Sequence, residues 1–292
     1  MANFREYSAQ LTSMGGMRRV TATMKMVAAS HLHRAQTELH LSEPFAAALL
    51  KLIPVLQQKG FAKHRVCLPP PEIDNRILLV VMTSNRGLCG AFNNSVVREV
   101  RRWVKKQIET RGSQVDAIFA GQKGYTALRN ELAPYMQTVD VTAHPHTKDI
   151  VAISRHAMDA FLAKQYDEVW LIGNRFVSTM THETQILRLL PYQKHLPIAR
   201  PEKITTTLPA LIEPNDERML ETIIRQWVHL DVYNAMLNSV ASEHAARVMA
   251  MENATINLRR MEKDLILLRN RARQSAITNE LTEIVSGAES LS

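Results

Sequence analysis

The residues of this chain best placed to do chemistry sit in two glycine-bearing turns. Arg86-Gly87-Leu88-Cys89-Gly90 follows a short apolar run, and Gly121-Gln122-Lys123-Gly124 follows a second one. Glycines at the end of a buried strand often cradle a phosphate. Here neither G-x-G-x-x-G nor G-x-x-x-x-G-K-[ST] is present, so tight turns without a ligand are the better reading. Cys89 has no Cys-His arrangement around it and reads as a small buried residue. His31 and His33 lie two apart on an expected helix and point to different faces. His144-Pro145-His146 lacks Cys or carboxylate companions, and His182-Glu183 lacks a second histidine at metalloprotease spacing. These patterns predict no catalytic residue, no cofactor and no metal.

The elements that carry these residues are more informative. From Asn215 to Ser286 there is neither glycine nor proline. A continuous helix of roughly 72 residues reaches roughly 108 Å, beyond the width of one domain. Residues from Asn3 to about Gln57 also read as helix. Their apolar positions are Leu11, Met14, Met17, Val20, Met24, Val27, Leu32, Ala35 and Leu39. Gly15-Gly16 weakens that helix and Pro44 is expected to bend it. Between the helices, Ile77–Thr83, Val115–Ala120 and Glu168–Ile172 read as buried strands. A further strand is expected around Val139–Val141, and an extended edge segment over Ser178–Leu190. Helices are expected over Asn94–Thr110 and Lys148–Lys164. Pro69-Pro70-Pro71 and Pro191–Pro214 read as linkers.

The expected fold is therefore a long antiparallel coiled coil of the N- and C-terminal helices, flanking a three-layer, Rossmann-like α/β domain. The expected boundaries are 1–68, 75–205 and 214–288. A 4-3 spacing runs through Ile223, Trp227, Leu230, Asn234, Leu237, Ala241, His244, Val248, Met251, Thr255, Leu258, Glu262 and Leu265, then fades at Arg269 and Ala272. If the two long helices pair antiparallel, the last one projects beyond its partner by about 17 residues. The projecting end carries Ile277, Leu281, Ile284 and Val285, an apolar stripe fit for another molecule.

The composition agrees with one sizeable core plus extensions, at 46% hydrophobic residues and 22% charged. No run is long and apolar enough to span a membrane, no apolar leader opens the chain, and the two cysteines suggest no disulfide framework, so cytoplasmic residence is expected. The net charge of +8 favours an acidic partner. Basic residues gather on the long helices, at Arg18, Arg19, Lys25, Arg34, Arg259, Arg260, Lys263, Arg269 and Arg271. Charge alone leaves a basic coiled-coil nucleic-acid-binding or scaffold protein open, with steeply salt-dependent DNA binding.

Four ordered motifs carry a family resemblance. Met24-Lys25-Met26-Val27-Ala28-Ala29-Ser30 with Arg34-Ala35-Gln36 resembles the N-terminal signature of the γ subunit of F-type ATP synthases. Arg86–Gly90 with Asn93 is similar to that family's first strand-loop. Ser242-Glu243 with Ala245–Met251 resembles its C-terminal helix, and Ala272–Leu281 with Glu283-Ile284-Val285 and Gly287-Ala288 its most specific motif. The resemblance implies a non-catalytic rotor inside a hexamer of α and β subunits. It also implies contact with an ε subunit and a c-ring, no nucleic acid, and peripheral membrane association at the cytoplasmic face of a bacterial inner membrane. It places Met24 against the β subunit's acidic lever region. Arg273 and Gln274 would meet a β loop, with Thr278 and Glu280 close by, and Arg34 and Arg247 are carried over as contacts. Gly15-Gly16, His31, Ile256, Leu258 and Arg269 depart from the family pattern, as in a divergent, alternate-operon form.

Overall fold

The computed structural model describes residues 4–50, 65–66, 68–73, 75–136, 138–142, 145, 147–191 and 216–289. The elements in chain order are α1 (Phe4–Leu50), β1 (Arg76–Met82), α2 (Phe92–Arg111), β2 (Gln114–Ala120), α3 (Gln122–Leu128), β3 (Ala133–Pro134), α4 (Thr147–Leu162), β4 (Glu168–Phe176), β5 (His182–Leu190) and α5 (Asp216–Glu289). The chain divides into two compact units. Met1–Ala28 with Arg247–Ser292 form one, and Ala29–Ala246 the other.

The larger unit is the α/β body. Its sheet runs β3-β2-β1-β4-β5, parallel except for β5, which pairs antiparallel with β4. Every residue of β1 from Ile77 to Met82 is buried, because helices cover both faces of the sheet. Leu78, Val80 and Met82 face a core built with α4 and the body's portions of α1 and α5, through Leu32, Ile153, Phe161, Trp227 and Leu230. Ile77, Leu79 and Val81 face the opposite core, built with α2 and α3 through Val96, Val100, Trp103 and Leu128. The three layers are those the strand-helix alternation predicts.

Some elements differ from the sequence reading. Val139 makes only an isolated bridge to Ala120, so no strand runs over 139–141. The sheet's edge is instead β3, two residues long, where Pro134 lacks the N–H a longer ladder needs. α3 arises from the second glycine turn. The edge segment expected at Ser178–Leu190 is β5, and β4 continues past Ile172 to Phe176. The end of the first helix beyond Leu50, Cys67, His144, His146 and the 192–215 linker lie outside the described residues.

α2 stops where the sequence says it must. Gly112 is left-handed (φ 64°), and its N–H and that of Ser113 donate to the carbonyls of Ile108 and Gln107, closing the last turn. Gly15 and Gly16 lie within α1, and a Cβ at either would meet open space. Pro44 is also inside α1.

Candidate functional site

The glycine turns close on themselves. Leu88 and Gly90 hold positive φ in the turn after β1. There the Ser84 N–H donates to Asn93 Oδ1 (3.0 Å), the Ser84 hydroxyl donates to the Arg86 carbonyl (2.6 Å), and Asn93 Nδ2 donates to the buried Cys89 sulfur (3.3 Å). At Gly121 (φ 100°) an added Cβ would lie 2.2 Å from the Thr83 carbonyl oxygen, and one at Gly124 would lie 2.7 Å from the Thr83 hydroxyl. The Thr83 hydroxyl also accepts the Gly124 N–H at 2.9 Å. Glycine is needed here so that the ends of β1 and β2 approach closely. At the second turn Thr83 fills the space beside Gly121 and Gly124, whereas Gly87 and Gly90 of the first turn face open space. Among the described residues no group of three or more His, Cys, Asp or Glu side chains could hold a metal ion. His31 instead packs against His244, ring centroids 5.0 Å apart.

The smaller unit carries the surface suited to a partner. Its two helix segments are antiparallel. Arg18 Nε reaches Glu262 Oε1 at 3.2 Å, the Thr21 and Thr255 hydroxyls meet at 2.9 Å, and Lys25 pairs with Glu252. On α5 the expected spacing holds. Met251 and Thr255 are buried, and Val248, Leu258, Glu262 and Leu265 are half-buried. On α1 the apolar positions that mark the helix divide: Leu11, Met14 and Met24 are half-buried and Met17, Val20 and Val27 exposed, while Arg18, Thr21 and Lys25 are half-buried and Ala28 is buried. The polar residues on this stretch of α1 make the cross-helix contacts, and several apolar ones face out. On α5 the exposed apolar set is Ile256, Met261, Ile266, Leu267 and Leu268. Residues off the 4-3 positions carry that signal, and a reading confined to the seam passes over them.

From Arg273 to Ser286 every residue is exposed, which is where the seam fades in the sequence. Ile277, Leu281, Ile284 and Val285 are exposed at 49%, 56%, 67% and 56%, an apolar density that water does not favour. Of the expected contact residues, Arg273, Gln274, Thr278 and Glu280 lie exposed on this stretch, and Met24 and Arg247 are half-buried in the same unit. Arg34 is exposed on the part of α1 that belongs to the α/β body. No helix among the described residues is long and apolar enough to cross a membrane.

Comparison with known proteins gives a consistent picture. A family described as ATP synthase matches residues 3–291. The ATP synthase gamma chain of Xanthomonas campestris pv. campestris (strain B100) is 36% identical over 293 residues, covering 99% of each chain. That of Chloroflexus aurantiacus (strain ATCC 29366 / DSM 635 / J-10-fl) is 34% identical, covering 100% of this chain and 99% of the relative. Among solved structures, a chain of the Tetrahymena thermophila mitochondrial ATP synthase central stalk and c-ring is 26% identical with a TM-score of 0.58, covering 80% of this chain and 99% of that one. A chain of the Euglena gracilis mitochondrial ATP synthase is 18% identical with a TM-score of 0.66, covering 99% and 94%, a likeness of fold.

Proposed function

The chain belongs to the ATP synthase gamma-chain family, and from that premise we propose the contacts through which it works. It is a non-catalytic subunit of a membrane-associated ATP synthase, its central stalk. We infer that the smaller unit turns inside a hexamer of α and β subunits, while the α/β body faces an ε subunit and a c-ring. Ion flow turns the ring and this chain together, and the asymmetry of the helix pair drives the β subunits through their binding states. The chain lies peripherally at the cytoplasmic face of a bacterial inner membrane. We read 1–68 and 214–288 as the arms and 75–205 as the central domain, with Ala29–Leu50 of α1 and α5 up to Ala246 packed as part of the α/β body.

The observation that carries this reading is the amount of apolar surface that the smaller unit leaves exposed. A self-sufficient helix pair buries its apolar residues in the seam. This one adds hydroxyl contacts and exposed ion pairs to an apolar seam, and leaves Met17, Val20, Met26 and Val27 exposed. Exposed ion pairs and hydroxyl contacts contribute little, about 0–1 kcal/mol each. Such a pair gains when a sleeve covers its apolar outside. Because much of the outside is apolar, the sleeve holds the shaft by non-directional contacts that tolerate sliding. The exposed cations, Arg19, Arg259, Arg260, Lys263, Arg271 and Arg273, then meet acidic groups of the sleeve.

Arg273 and Gln274 supply the directional contacts, to a β loop, worth about 1.5–3 kcal/mol while formed. Replacing both by alanine in the assembled complex should slow ATP turnover several-fold while the complex still forms. Unchanged turnover removes these two residues from the contact set. Retained binding to DNA with a steep salt slope, and none to α and β subunits, would favour a nucleic-acid partner instead.

A further inference from the structure

We propose that Gly15-Gly16 is a hinge in α1, at which residues 4–14 open away from α5 as one unit while the helix from Arg18 onward stays paired. Neither glycine is required by its surroundings. Both lie inside α1, neither holds a positive φ, and a Cβ at either position would meet open space. A helical glycine with room for a side chain does one thing that alanine does not, which is to loosen the backbone. Each lowers the local helix equilibrium about fivefold relative to alanine, so the adjacent pair lowers it about 25-fold.

The ties across the helix pair stop at the same place. Arg18–Glu262 (3.2 Å), Thr21–Thr255 (2.9 Å) and Lys25–Glu252 all lie on the C-terminal side of the glycines. On the N-terminal side the side-chain hydrogen bonds are local. The Ser8 hydroxyl donates to the Phe4 carbonyl (3.0 Å) and the Thr12 hydroxyl to the Ser8 carbonyl (3.1 Å). Among the described residues no side chain of 4–14 makes a hydrogen bond or ion pair to α5. None of 4–14 is buried either. Phe4, Tyr7, Ser8, Leu11 and Met14 are half-buried, and the others are exposed. The segment is shorter than the about 12–15 residues that an isolated helix needs in water. It is therefore helical only while it rests on α5, and the glycines set how often it leaves.

Opening changes α5 as well. The antiparallel register of the three ties places residues 4–14 beside Leu265, Arg269, Asn270 and Ala272, which are half-buried, whereas every residue from Arg273 to Ser286 is exposed. When 4–14 leaves, the single-helix end of α5 lengthens from 273–286 to 265–286. The hinge is thus a device that sets how much of the shaft's end is a helix pair and how much is one helix free to bend. It concerns the smaller unit alone. It holds or fails in the free chain, whether or not α and β subunits bind.

The test is native-state amide hydrogen exchange of the full-length chain, compared with the double variant Gly15→Ala, Gly16→Ala. Opening as a unit predicts one shared protection factor for the amides of 8–14, at least about tenfold below that of 22–28. The alanines should slow exchange over 8–14 at least about tenfold and leave 22–28 unchanged. Both enter open space in a helix, so the variant keeps its fold, which circular dichroism checks. Fraying from the chain end predicts another pattern, with protection that climbs residue by residue from Ser8 and amides of 8–10 that the alanines do not slow. Either of those results overturns the hinge. So does a protection factor over 8–14 equal to that of 22–28 in the unsubstituted chain, which needs no variant to observe.

Discussion

Gly121 and Gly90 both hold positive φ, yet only one of them has no room for a side chain. Gly90 (φ 57°) faces open space, so alanine there meets only the left-handed penalty, about 1 kcal/mol. At Gly121 a Cβ would stand 2.2 Å from the Thr83 carbonyl oxygen, and the end of β1 would have to move. Gly121→Ala should cost about 3 kcal/mol or more, well above Gly90→Ala, as read by urea denaturation of the full-length chain. Equal losses would mean that the strand ends shift freely. A second residue-scale test lies at the opposite end of the sheet. Glu168 is fully buried, takes Arg111 at 2.7 Å and Trp170 Nε1 at 2.6 Å, and also meets Asn75. Arg111 further donates to the carbonyls of Glu72 (3.1 Å) and Pro71 (2.8 Å), and so holds the proline linker. Arg111→Ala should destabilise by about 2–3 kcal/mol, less than a fully buried pair because Arg111 keeps some exposure. The same denaturation series measures it. The sequence marks the glycines as turn residues, and the structure adds the reason. Thr83 lies against them, a long-range contact that spacing does not carry.

Elements were legible where they are long and periodic, and obscure where pairing partners decide. β1 announces itself by an unbroken apolar run, because a strand covered on both faces has no polar side to show. The 4-3 spacing of α5 follows the residues that turn inward. β3 is two residues long and exists through its register with Asp116 and Ala117, which no local pattern records. On α1 the apolar spacing marked the helix but not which residues turn inward: Leu11, Met14 and Met24 are half-buried and Met17, Val20 and Val27 exposed, because the cross-helix contacts also take Thr21, Arg18 and Lys25. The contact between α4 and α5 offers a test at this scale. His229 Nδ1 lies 3.2 Å from the Ser154 hydroxyl, and burial holds its pKa below the ordinary 6.5. Above that value the imidazole is neutral in both the folded and unfolded chain, and pH has no leverage through it. Below it the unfolded chain takes up a proton that the folded one resists, so stability falls as the pH falls. The urea midpoint should therefore drop between pH 7.5 and 5.5, and His229→Gln should flatten that drop. An identical slope in the variant would show that other groups set the acid sensitivity.

For the molecule as a whole, turning is what separates a shaft from a scaffold, and it can be tested by stopping it. Cys89 is buried and accepts a hydrogen bond from Asn93, so the cysteine-free background should carry alanine at positions 67 and 89, with the fold of the α/β body verified first. A cysteine at Glu280, exposed on the last turns of α5, is then joined to a cysteine in the facing α subunit. If the whole shaft must turn through that point, multi-turnover ATP hydrolysis stops on oxidation and returns on reduction. A single exposed helix held at its tip has another course, because every residue from Arg273 to Ser286 is exposed, and a few turns of helix there can unwind or swivel while the rest rotates. Continued hydrolysis with the tip linked is thus compatible with rotation. The deciding link is on the α/β body, at the exposed Asn94 near the start of α2, tied by a spacer to a stationary β subunit. α2 is packed on the sheet through Val96, Val100 and Trp103, so no local swivel frees it. A link there should abolish turnover and spare single-site ATP binding. Full turnover with that link quantitatively formed is incompatible with a rotor, since the one part of the chain that cannot slip would then be standing still.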